Sequence, residues 1–289
     1  MSRTRDAFDA ARAGGGSVLV GYLPAGFPSV RGGIAAMHAM VDAGVGVVEV
    51  GLPYSDPVMD GPTIQRASDL ALAAGTRIRD VLATVEAVAV IGVPTLVMSY
   101  WSPVDRYGVD RFAADLAAAG GAGLITPDLV PDEGGPWLAA SDRTGLDRVF
   151  LVSPSSTDAR VGSTVAACRG FVYATSVMGV TGPRTATSDA APALVQRVRA
   201  VTDQPVAVGL GVSDGAQAAD VAAFADGVIV GSALVRRLLD ADSEAAGVRS
   251  VGELAGELAA GVRSASVMGA VGAVGAAGVR DAAGVMEAQ

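Results

Sequence analysis

The chain contains no lysine. All 21 basic residues in its 289 positions are arginine, so it cannot form a Schiff base with a carbonyl substrate or with pyridoxal phosphate. Cysteine occurs once, at Cys168, which excludes an intrachain disulfide and suggests a reducing, intracellular setting. Cys168 lies in STDARVGSTVAACRG on what reads as the apolar face of a helix, where a free thiol packs as a small hydrophobe. The single histidine, His38, sits in a helix-like segment, VRGGIAAMHAMVDAG, and reads as structural. One His and one Cys are too few ligands for a His- or Cys-rich transition-metal site, so no metal is expected. Basic residues are in the minority, 21 against 30 acidic for a net charge of −9, which argues against a DNA or RNA partner. A small anion is still allowed, because backbone N–H groups can hold phosphate without a cation. No apolar run reaches the ~18–20 residues of a spanning helix. The opening MSRTRDAFDAARAG lacks the apolar stretch of a secretory signal, so a cytoplasmic protein is expected.

What the sequence has in quantity is apolar residues, 51% against 18% charged, enough to bury a large core. Short β-branched runs at 17–23, 45–50, 95–100, 122–126, 148–152, 170–175, 205–210 and 226–231 read as eight strands. Helix-like segments near 29–43, 78–90, 108–119, 134–141, 157–168, 189–201 and 214–223 alternate with them, and more helix follows 232. Such alternation implies parallel pairing, and eight units in this length point to an α/β fold of the (β/α)8 barrel type. GPTIQRASDLALAAG adds a helix after the second strand, with Pro62 suited to a first turn. Residues 1–264 read as one barrel domain. Residues 265–289, rich in Gly, Ala and Val, offer little to pack and read as a flexible tail.

In such barrels the active site lies at the C-terminal ends of the strands. The segment VVEVGLPYSDPVMDGPTIQ (47–65) puts Glu49 there, inside a run of valines. By alternation Glu49 shares a face with Val47 and Gly51. No arginine lies between Arg31 and Arg66, so any ion-pair partner must come from elsewhere in the fold. Burial should raise the Glu49 pKa toward the range useful for proton transfer near neutrality. Asp60 follows in a loop fixed by Pro53, Pro57 and Pro62. From spacing alone it is equally a helix cap or a second working carboxylate. Two carboxylates in unlike surroundings can hold different protonation states. In the second half, VMGVTGPRT (177–185), GLGVS (209–213) and GVIVGSALV (227–235) put glycines at three consecutive strand ends, where main-chain amides can approach an anion. Tyr100 and Tyr173, each near the end of a strand, could line a pocket or simply pack.

Taken together, these residues resemble the tryptophan synthase alpha chain family over about residues 17–240. The most specific part is EVGLPYSDPVMDGPTIQ, close to E-x-G-x-P-[FY]-S-D-P-x-x-D-G-P-x-I-Q. The likeness continues through YWSPVDRYGVDRF, GLITPDLVPDE, VFLVSPSSTDAR, GVTGPR, PVAVGLGVS and ADGVIVGSALV. The resemblance implies a retro-aldol lyase that cleaves indole-3-glycerol phosphate to indole and glyceraldehyde 3-phosphate in tryptophan biosynthesis. It makes Glu49 the general acid/base and Asp60 the partner of the indole N–H. It puts Tyr173 and Tyr100 in the pocket, Thr181 and Gly182 on a closing loop, and Gly211, Gly231 and Ser232 at the phosphate. It further implies an alpha2-beta2 heterotetramer in which a beta chain carries pyridoxal phosphate, with no cofactor on this chain. Ser55, Asp56, Pro57, Pro127 and Asp128 match the surface that meets that partner. Three positions depart from the family pattern: Phe27 for an aspartate, Val177 for an arginine, and Thr126 for an aliphatic residue. The competing readings are another phosphosugar barrel enzyme, or a non-catalytic subunit that only activates a beta chain.

Overall fold

The structure, a computed structural model, describes residues 2–175 and 190–283, with side chains described as far as Ala265. Eight strands, β1 (Val18–Pro24), β2 (Val47–Gly51), β3 (Thr95–Met98), β4 (Gly123–Thr126), β5 (Asp147–Val152), β6 (Val172–Thr175), β7 (Val206–Gly209) and β8 (Gly227–Val230), pair in chain order. All pairings are parallel, and β8 closes on β1. The expected (β/α)8 barrel is therefore present, each strand within two residues of its expected limits.

Helices α1 (Arg3–Ala13), α2 (Val30–Asp42), α3 (Pro62–Ala73), α4 (Ile78–Ala89), α5 (Trp101–Tyr107) and α6 (Val109–Ala118) belong to the first half. The second half has α7 (Gly135–Thr144), α8 (Asp158–Ala167), α9 (Ala190–Arg199), α10 (Gly215–Ala222), α11 (Ser232–Leu239) and α12 (Glu244–Ala283). The extra helix after β2 is α3, with Pro62 in its first turn, where a missing N–H leaves no hydrogen bond unmade. Two helices were not expected from the sequence. In α1 only Thr4 and Phe8 are buried, so it lacks the apolar stripe that marks a packed helix. In α5, seven residues include Pro103, tolerated only because it falls in the first turn. The backbone from 265 continues α12 to Ala283.

Alternation along the strands sorts the core into two layers. Val48, Val50, Val97, Leu124, Val208 and Val228 pack outward beneath the helices. Val20, Val47, Leu96, Ile125, Val149 and Phe171 fill the barrel interior. Phe8 of α1 shuts the barrel's base, its ring 5.2 Å from that of Phe171. A Cβ on Gly227 would lie 2.7 Å from Phe8 Cε1, so only glycine admits the ring there. Ser2 holds α1 in place by accepting from Arg5 N at 3.0 Å and donating to Asp147 Oδ2 at 2.7 Å. Cys168 ends α8 and is buried, and burial pushes its thiol up to about 12. That suits packing and not nucleophilic work. His38 Nε2 lies 3.1 Å from Ala87 O, a contact between α2 and α4.

Candidate active site

Glu49 faces into the barrel. It pairs in register with Leu96 of β3 and Tyr22 of β1, and its neighbours Val48 and Val50 belong to the outer layer. The side chain is 0% exposed, and among the described residues neither carboxyl oxygen has a hydrogen-bond partner. Burial raises its pKa to about 8. At neutral pH Glu49 is therefore a carboxylic acid holding a proton it can give.

Asp60 lies just before α3. The helix takes Gly61 as its N-cap, with no side-chain cap bond, so Asp60 is not the capping residue its spacing allowed. Its backbone carbonyl is instead gripped by Gln65 Nε2 at 2.7 Å, one turn into α3. Burial raises the Asp60 pKa to about 6, against the lowering effect of a hydrogen bond from the Tyr100 hydroxyl. Near pH 7 the two carboxyl groups thus stand in opposite states, Glu49 protonated and Asp60 ionised.

Tyr100, buried at the end of β3, joins the loops of the mouth. Its hydroxyl accepts from Met59 N at 3.0 Å, and its ring lies 5.4 Å from that of Tyr54. Burial, then the Asp60 charge, push its own pKa up to about 12, so it remains a donor. Tyr173 of β6 is also inside the barrel, 6.4 Å from Phe171 ring to ring. Its pKa is raised by burial and by Glu49 and Asp60. A Cβ on Gly209 would lie 2.8 Å from its hydroxyl, so glycine at the end of β7 makes room for it.

The sequence reading missed Tyr22. It stands opposite Glu49 on β1, and its pKa is raised by burial, then by Asp60 and Glu49. The signal was there: Tyr22 lies near a strand end, as Tyr100 and Tyr173 do, and shares a face with Val18 and Val20 of β1.

Across the mouth, Gly231 is the N-cap of α11 and makes no side-chain cap bond. Ser232, largely buried, begins the helix. A first turn has main-chain N–H groups without intrahelical partners and a partial positive charge, which suits an anion. Gly211, after β7, has φ +70°, a conformation that favours glycine. Thr181, Gly182 and Val177 lie outside the described residues.

The expected partner-facing residues fall on the loops after β2 and β4. Ser55 and Asp56 are exposed and joined by a 2.5 Å hydrogen bond, and Val58 beside them is 73% exposed. Pro127 is half-buried. Asp128 has a local task the sequence did not suggest: its carboxylate oxygens accept from Trp101 N at 2.9 and 3.1 Å, capping α5 directly after Tyr100. Thr126, where the family usually has an aliphatic residue, is buried, its hydroxyl without a partner among the described residues.

A closed (β/α)8 barrel with a protonated and an ionised carboxyl group at the C-terminal ends of its strands is the framework of an acid–base enzyme. The sequence model of the family described as "Tryptophan synthase alpha chain" matches residues 8–263. The chain belongs to that family. A tryptophan synthase alpha chain from Salinispora tropica is 68% identical over 264 residues, covering 91% of this chain and 99% of the relative. One from Thermobifida fusca is 60% identical over 259 residues, with 89% and 96% covered. A solved structure of Mycobacterium tuberculosis tryptophan synthase is similar with a TM-score of 0.86 at 59% identity, covering 91% of this chain and 98% of that one.

Proposed function

We propose that this chain cleaves indole-3-glycerol phosphate to indole and glyceraldehyde 3-phosphate, with Glu49 as general acid/base. The observation that carries this is a fully buried carboxyl group, both oxygens without a partner among the described residues, whose burial raises its pKa to about 8. Protonation of the indole at C3 by Glu49 turns a poor carbanion leaving group into an activated, iminium-like one. Asp60, ionised above about pH 6, accepts from the indole N–H and stabilises the positive charge growing on that nitrogen. The bond from C3 to the glycerol carbon then breaks as the hydroxyl on that carbon loses its proton to the Glu49 carboxylate. Indole leaves with the proton it gained, and the acid is restored.

Main-chain amides around Gly211, Gly231 and Ser232 hold the phosphate, with Thr181 and Gly182 closing over it. Tyr173 and Tyr100 flank the substrate. The loops bearing Ser55, Asp56, Pro57, Pro127 and Asp128 meet a tryptophan synthase beta chain in an alpha2-beta2 heterotetramer. Pyridoxal phosphate belongs to that partner, in keeping with the absence of lysine here.

The test is indole formation from indole-3-glycerol phosphate, measured with and without a beta chain. Glu49→Gln should lower turnover by about 10²–10⁴-fold, the usual contribution of general acid–base catalysis. A Glu49→Gln variant with parental turnover would remove the assignment.

A further inference from the structure

Tyr22 runs between the two ends of the site. The base of its ring rests at the phosphate end: a Cβ on Gly231 would lie 3.2 Å from Tyr22 Cδ1 and 3.4 Å from Cβ. The tip of the ring reaches the acid end: a Cβ on Gly51 would lie 2.3 Å from the Tyr22 hydroxyl and 2.6 Å from Cζ. This follows from topology, since β1 lies between β8 and β2, and Tyr22 pairs in register with Glu49. Any side chain at Gly51 would collide with the hydroxyl, so the end of β2 is shaped around it.

A substrate with its phosphate at α11 and its indole at Glu49 and Asp60 must lay its glycerol chain along the same path. That chain carries two hydroxyl groups, the one nearer the indole on the carbon whose bond breaks. We infer that Tyr22 is a substrate-contacting residue whose hydroxyl hydrogen-bonds the glycerol of the substrate, holding the scissile bond over Glu49. The contact makes the site selective for a hydroxylated linker over a plain alkyl one. The inference rests on the proposed reaction. Tyr22 needs no proton transfer for this role: burial and the nearby carboxyl groups keep the phenol neutral, able both to donate and to accept.

The experiment compares Tyr22→Phe, which removes only the oxygen, with the parent. Two ligands are used: indole-3-glycerol phosphate and 3-(indol-3-yl)propyl phosphate, which has the same ends without the hydroxyls. Binding is measured in the Glu49→Gln background to suppress turnover, and kcat/KM for the substrate in the parent background. Loss of one neutral hydrogen bond predicts a three- to tenfold fall in substrate affinity and kcat/KM, with binding of the propyl analogue unchanged. Equal weakening of both ligands would assign the effect to ring packing and overturn the inference, as would no change for either. If Glu49→Gln still turned over, the proposed acid would be wrong. Tyr22 would then still be judged by the fall in substrate kcat/KM relative to the inhibition constant of the analogue.

Discussion

At the scale of single residues, Glu49 and Asp60 set the pH behaviour. A mechanism needing Glu49 protonated and Asp60 ionised loses activity as pH rises through about 8 and as it falls through about 6. A bell between those limits is expected in kcat/KM, which reports the free enzyme. The substrate phosphate also titrates near 6, so Tyr100→Phe separates the two. Losing the hydroxyl that lowers the Asp60 pKa should move the acidic limb upward by a measurable fraction of a pH unit. An unmoved limb would assign it to the phosphate. Glu49 also costs stability. Between the ordinary glutamate pKa and about 8 the folded chain binds a proton that the unfolded chain has released, so stability falls as pH rises through that window. The penalty is about 4–5 kcal/mol near pH 8. Glu49→Gln should therefore raise the melting temperature by several degrees at pH 8 and leave it unchanged at pH 4, where both states are protonated. Glu49 was legible in the sequence because a carboxylate within a valine strand contradicts its surroundings. Asp60 was not, because capping and catalysis share a position ahead of a helix; only Gly61 as the cap separates them. Tyr22 carries the same strand-end signal as Tyr100 and Tyr173, but its place opposite Glu49 depends on pairing across strands, which no local pattern encodes.

At the scale of elements, the sequence displayed the strands better than the helices. Parallel strands buried on both faces read as near-continuous apolar runs, and this made the eight strands legible, β2 despite Glu49 within it. Helix α5 left no such trace, since its start is held by a carboxylate 27 residues downstream. Asp128→Ala should cost about 1 kcal/mol, the usual value of a lost cap, read as a lower urea midpoint. Because α5 begins directly after Tyr100, the same variant should also lower kcat/KM for the substrate. An unaltered midpoint would show that α5 does not depend on this contact.

For the whole molecule, the aromatic line Phe8, Phe171 and Tyr173 runs from the base of the barrel toward its mouth. Phe8→Ala should destabilise the fold by about 3–5 kcal/mol, as large core truncations do. At permissive temperature it should leave kcat and KM within about twofold of the parent, since the plug sits at the opposite end from Glu49. A large fall in kcat would mean that the two ends of the barrel are mechanically coupled. With Phe8 wedged against Gly227, nothing the size of an indole can drain through the floor. Reactant and both fragments must share one doorway, so any body seated on that threshold governs which fragment departs, and in what direction.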